Sequence, residues 1–160
     1  MSRKRTVRRV YALLNPIAHA MQGAAITSRA ECDRLLAREL AALDDLTHGR
    51  GTVQQWHDMV TVMNLCETLA LSGVGPEAFE SIRKAEEGLI EAGKRFHKTQ
   101  KMGLSGQTIQ ALRDVIEFHD LQRSSISRRE YEVAIARMRS NIVNRVNVID
   151  IDDLIQQEAA

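Results

Sequence analysis

Aromatic side chains are scarce: one Trp, two Tyr and three Phe make up 4% of 160 residues. That argues against a sandwich or barrel built on Tyr-, Phe- and Trp-rich strands. Proline occurs only at Pro16 and Pro76, so few positions forbid a helix from continuing. Cysteine is equally rare, and Cys32 and Cys66 both fall inside apolar-periodic segments. Such thiols are expected to be small buried groups in a reduced compartment rather than a disulfide. Neither sign of charge dominates, with 22 Lys and Arg against 21 Asp and Glu, so net charge selects no partner. No stretch approaches the roughly eighteen uninterrupted apolar residues read as a membrane span. No apolar run of signal-peptide length follows the basic residues that precede Asn15-Pro16. The expectation is an intracellular, cytoplasmic chain that does not engage a membrane.

What is present is ordinary for a globular protein, 44% hydrophobic and 27% charged residues in the length of one domain. The apolar residues recur at helical spacing between recognisable start signals. Asn15-Pro16 reads as an N-cap followed by Pro at the first helical position. Ser28/Glu31, Thr52/Gln55 and Ser127/Glu130 each have capping-box spacing, and Ile126 with Tyr131 occupies the two positions of a hydrophobic staple. A helix is expected from about Val53 to Leu71. From Pro76 a long helix should turn Phe79, Ile82, Leu89 and Phe96 inward and end towards Gly103. Another should begin at Ser105, carry Ile109, Leu112 and Ile116, and break at Ser124-Ser125. These signals predict an all-α, single-domain bundle of five to six main helices with antiparallel sequential neighbours. They divide the chain into a basic N-terminal arm or helix (1–14), the bundle (15–145) and a short acidic-apolar tail (146–160).

The charge is unevenly placed, with five bases and no acids in residues 1–22, and four acids and no bases in residues 148–160. Arg3, Lys4, Arg5, Arg8 and Arg9 form a basic cluster suited to salt-sensitive, sequence-blind contact with nucleic acid. No aromatic residue interleaves it, which removes support for stacking on single strands. The helix pair around Ser127 has the outline of a helix-turn-helix, with Arg128 and Arg129 where base contacts are usually made. Glu130 and Glu132 in the same turns oppose that reading, and a well-capped second helix explains the residues without DNA. The tail residues Val148, Ile149, Asp150, Ile151, Asp152, Asp153, Leu154 and Ile155 alternate apolar and acidic groups that need a surface to pack on, in the same chain or in a partner.

The segment from Val53 is apolar almost all round, which marks a central buried helix. His57, Thr61, Asn64 and Thr68 interrupt it as a narrow stripe, within about 60° of one another at 100° per residue. As a general base His57 would need a carboxylate from another helix, because Asp58 points away. The simpler expectation is structural: the threonines bond back to their own helix, while His57 and Asn64 reach a neighbour or a second subunit. His119-Asp120, near a helix end, suits a capping imidazole. His48-Gly49-Arg50-Gly51-Thr52 has the look of a weak anion-binding loop at a helix start. No metal-ligand spacing, nucleophile elbow or nucleotide fingerprint occurs, so no cofactor is expected.

Three stretches, Asn15–Met21, Gly49–Glu67 and Phe118–Glu132, resemble uncharacterised small helical proteins of proteobacterial phages and other mobile elements. The resemblance implies a setting, an accessory protein inside a bacterial cell, and no active-site pattern. Together these features predict a non-catalytic binding protein, self-associating or docked to a protein partner, with a DNA-binding regulator as the alternative.

Overall fold

The computed structural model describes residues 25–146, and among these the chain is all-α. Five helices follow in order: α1 (Arg29–Thr47), α2 (Val53–Leu71), α3 (Phe79–Thr99), α4 (Gly106–Ser125) and α5 (Arg128–Val143). A 3-10 turn at Pro76–Ala78 leads into α3. No helix among the described residues is long and apolar enough to cross a membrane.

The starts follow the local chemistry. At α2, the Thr52 hydroxyl accepts from Gln54 N–H at 3.2 Å while Gln55 Oε1 accepts from Thr52 N–H at 2.9 Å. At α5, Ser127 and Glu130 exchange the same pair of bonds at 3.2 and 2.8 Å. These side chains satisfy amide groups that a helix start leaves without partners. Arg128 N–H, another of these, donates at 2.9 Å to the carbonyl of Ala25, beside an isolated antiparallel bridge between Ile26 and Ser127.

The ends differ from the sequence expectation in two places. Helix α3 stops at Thr99 with Gln100 in the left-handed region (φ 56°), ahead of Gly103. Helix α4 runs through Ser124 and Ser125 rather than breaking there, because their hydroxyls bond back to the carbonyls of Leu121 and Gln122 at 3.0 and 2.9 Å. The Gln122 carbonyl is one of the last four, which the helix itself cannot satisfy.

Helix α2 is central, packing against α1, α3, α4 and α5. Trp56, fully buried, donates its indole N–H to the Leu89 carbonyl of α3 at 2.9 Å, so the largest core side chain carries no unmet polar atom. On α3 the buried stripe is Ile82, Ala85, Leu89 and Ala92. Phe79 lies one residue off that stripe, at the first position of the helix, and is 39% exposed instead of facing inward. Gly88 lets α4 approach α3 closely, since a Cβ there would overlap the Thr108 side chain. Two apolar clusters result. The large one joins α1 to α4, and a small one, Leu65, Leu69, Ile126, Ala134 and Met138, seats α5 on α2. Tyr131 packs against the same small cluster as Ile126, as a staple pair should.

Candidate functional site

The basic cluster Arg3, Lys4, Arg5, Arg8 and Arg9 and the tail residues Val148, Ile149, Asp150, Ile151, Asp152, Asp153, Leu154 and Ile155 lie outside the described residues, as does Asn15-Pro16. Arg128 and Arg129 stand exposed in the first turn of α5, and Arg128 pairs with Glu132 at 3.2 Å. The stripe on α2 is used locally. Thr61 and Thr68 donate to the carbonyls of His57 and Asn64, one turn back, at 2.9 and 2.8 Å. His57 is exposed, its ring against the edge of Trp56 at 5.1 Å between centroids, and only Thr68 of the four is buried. In the glycine-rich loop the Arg50 guanidinium bridges Asp44 and Asp45 at 2.7 and 3.1 Å, which spends its charge on α1 rather than on a ligand.

The polar chemistry of the interior lies on α4 instead. His119, Gln122 and Arg123 are buried at 1%, 2% and 0% exposure. Arg123 donates from Nη1 and Nη2 to both oxygens of Glu39 on α1, at 2.7 and 3.3 Å, and from Nη2 to Asp120 at 3.2 Å. Burial opposes its charge, but the bonds to Glu39 outweigh that and hold the guanidinium protonated. Burial raises the Glu39 carboxyl above its usual range, and Arg123 pulls it part of the way back. Gln122 donates to the carbonyls of Cys66 and Val74 at 3.1 and 2.7 Å, tying α4 to α2 and to the turn beyond it. Gly75, left-handed at φ 64°, sits against that glutamine, where a Cβ would press on its side chain at 3.2 Å.

His119 is not a helix cap, as its position near the helix end suggested. Its Nε2 lies 3.1 Å from the Tyr131 hydroxyl on α5, and burial, reinforced by Arg123, pushes its pKa down to about 3. A neutral imidazole in the core replaces the expected charged one at a helix terminus. Beside it a cavity of about 210 Å³ opens between α1 and α2, lined in part by Glu39, Asp58, His119 and Tyr131. An imidazole and carboxylates therefore do meet, around His119 rather than His57. An imidazole with so low a pKa is a weak base at neutral pH, and the Glu39 oxygens are taken by Arg123, so the set holds helices together better than it moves protons. Both cysteines are free and buried, and burial pushes the Cys66 thiol up to about 12, which makes it a poor nucleophile. Among the described residues no three His, Cys, Asp or Glu side chains group as a metal site.

On the outside, an apolar groove of about 510 Å³ runs between the end of α2 and the first half of α5. Leu69, Val74, Ile126, Val133 and Ala134 form its apolar lining, and Arg129, Glu130 and Arg137 stand at its edges. Val133 is 60% exposed, and Ile142, Val143 and Val146 are also exposed near the end of the helix. Periodicity missed the groove because it lies between two helices distant in the chain. The signal on offer was Val133, out of step with the buried positions Ala134 and Met138. No family model matches this chain, and no curated protein or solved structure resembles it significantly.

Proposed function

We propose that this is a non-catalytic helical binding protein acting by protein–protein contact or self-assembly, its helices forming a bundle with antiparallel sequential neighbours. The observation that supports this reading is the groove on α2 and α5, where Val133 stands exposed beside the buried Leu69, Ile126 and Ala134 while the interior polar groups bond to one another. An uncovered apolar patch rimmed by charge is how interaction surfaces look on soluble proteins. The resemblance of three stretches to phage and mobile-element proteins supports an accessory role in the bacterial cytoplasm. Light scattering coupled to size exclusion is expected to show an oligomer or a retained complex, lost in Val133→Asp. A strict monomer that retains no partner overturns the proposal.

A second reading, a DNA-binding regulator, draws support from Arg129 and Arg137, exposed on α5 and without an ion pair among the described residues. It predicts retardation of duplex DNA that weakens steeply with salt and with Arg3, Arg5, Arg8 and Arg9 changed to Ala. Absence of retardation at low salt removes it.

A further inference from the structure

We infer that the groove between α2 and α5 is the contact surface for a second copy of this chain, the two α5 helices meeting antiparallel about a two-fold axis beside Val133. The inference rests on the proposed function and narrows it to one partner and one arrangement. Three observations converge on it.

The first is the room left on α5. Among the described residues that helix packs chiefly on α2, through Ala134 and Met138, and its other side is open. Val133 is exposed at the groove, with Ala136 and Ser140 exposed one and two turns further on. A face of small side chains admits a second helix at a short interaxial distance.

The second is charge that complements itself. Glu130, Val133 and Arg137 all line the groove, and their spacings of three and four place them on one stripe of α5. When two such stripes run antiparallel about an axis between positions 133 and 134, position 130 of each copy comes level with position 137 of the other. Each Glu130 then faces an Arg137, twice by symmetry. Arg137 makes no ion pair among the described residues, and Glu130, fixed by the Ser127 amide at 2.8 Å, keeps acceptor capacity. At 100° per residue, Arg129 and Arg137 lie about 40° to opposite sides of Val133, so the arginines of the two copies do not meet. A parallel pair sets Arg137 against Arg137 instead, which repels.

The third is shape. Leu69, Val74 and Ile126 line the groove beside Val133, so the valine of the second copy finds an apolar seat there. A two-fold contact uses the same patch on both copies, and this patch holds both the projecting side chain and the hollow that takes it.

The test is disulfide cross-linking of the whole chain under mild oxidation, with the parent, whose two cysteines are buried, as background. Val133→Cys should give a covalent dimer in high yield. Glu130→Cys and Arg137→Cys should each give little alone, because each position lies about 10 Å along the axis from its own counterpart, beyond the reach of a disulfide. Mixed, those two variants should give a dimer. Arg137→Glu changes an exposed side chain and is expected to fold. It should weaken dimerisation about tenfold in sedimentation equilibrium, since both ion pairs become like-charge pairs. Failure of Val133→Cys to cross-link overturns the inference; if its thiol is also closed to a maleimide, the groove belongs to another part of the same chain. Dimers from Glu130→Cys and Arg137→Cys alone, with no mixed product, overturn it as a parallel pair. An oligomer or a retained partner without the antiparallel cross-links removes this inference and leaves the proposed function standing. A strict monomer that retains no partner and forms no cross-link removes both.

Discussion

His57, Thr61, Asn64 and Thr68 on α2 and His119, Gln122 and Arg123 on α4 are both polar sets at helical spacing, each containing a histidine. On α2 the threonines close bonds to their own helix and His57 stays in solvent, so the set ties nothing to anything else. On α4 every member reaches another element: Arg123 to α1, Gln122 to α2 and its following turn, His119 to α5. The difference follows from what surrounds each set. A polar group facing water can satisfy itself locally, whereas one facing the core must find partners across helices or leave a costly unmet bond. The α4 set therefore specifies how the helices meet, and His119 Nδ1, Gln122 Oε1 and Arg123 Nε remain as buried atoms without hydrogen-bond partners among the described residues.

The largest expected effect breaks the α4 side of this contrast. Arg123→Ala leaves Glu39 and Asp120 facing a void, and Glu39→Ala leaves a buried guanidinium short of its main partner. Removing one member of a buried ion pair costs about 3–5 kcal/mol. Urea denaturation should show a loss of that order for either single change. Replacing both by Met should cost much less than the two losses added together, since an apolar pair leaves no orphaned charge. A single-variant loss below about 1 kcal/mol would mean that the pair does not hold α1 to α4.

The acid limb of stability comes next. The folded His119 has a pKa near 3 against about 6.5 for a free imidazole, so between these values the unfolded chain takes up a proton that the folded one refuses. Stability is then full above pH 6.5 and lost as pH falls, by about 2 kcal/mol at pH 5. Glu39 acts with the opposite sign: its raised carboxyl binds a proton ahead of the unfolded chain, so its contribution grows as pH falls. His119→Leu should flatten the decline between pH 6.5 and 5 in thermal melts at fixed ionic strength. A decline that persists in this variant would place the acid sensitivity at another group.

Much of the fold was readable because it rests on local rules. Thr52/Gln55 and Ser127/Glu130 announce their helix starts through bonds within three residues, and the nearly all-apolar run of α2 announces a central helix. The α4 set was also partly visible. Thr108, Ala111, Leu112, Val115, Ile116, His119, Gln122 and Arg123 form one continuous buried face at spacings of three and four. A break at Ser124-Ser125 hides this, because it puts His119 near a helix end, where a capping imidazole is the simpler reading. The partners had no such signal. Glu39 stands between apolar and exposed neighbours on α1, 84 positions from Arg123, and nothing in local patterning joins them. Tertiary packing alone brings them together.

The smallest expected effect concerns the α2 side, and it is the sharper discriminator. If the stripe does only local work, His57→Ala removes an exposed ring resting on the edge of Trp56, and Thr61→Ala removes a hydroxyl bonded one turn back. Surface changes of this kind fall within about 0.5 kcal/mol, and Thr61→Ala gains some helix propensity in return. Both variants should therefore unfold at nearly the same urea concentration as the parent, singly and together. A joint loss above about 1.5 kcal/mol would exceed what exposed, locally satisfied groups supply. The stripe would then be covered in solution by another surface, and His57 and Thr61 would have to be counted among the groups that join elements.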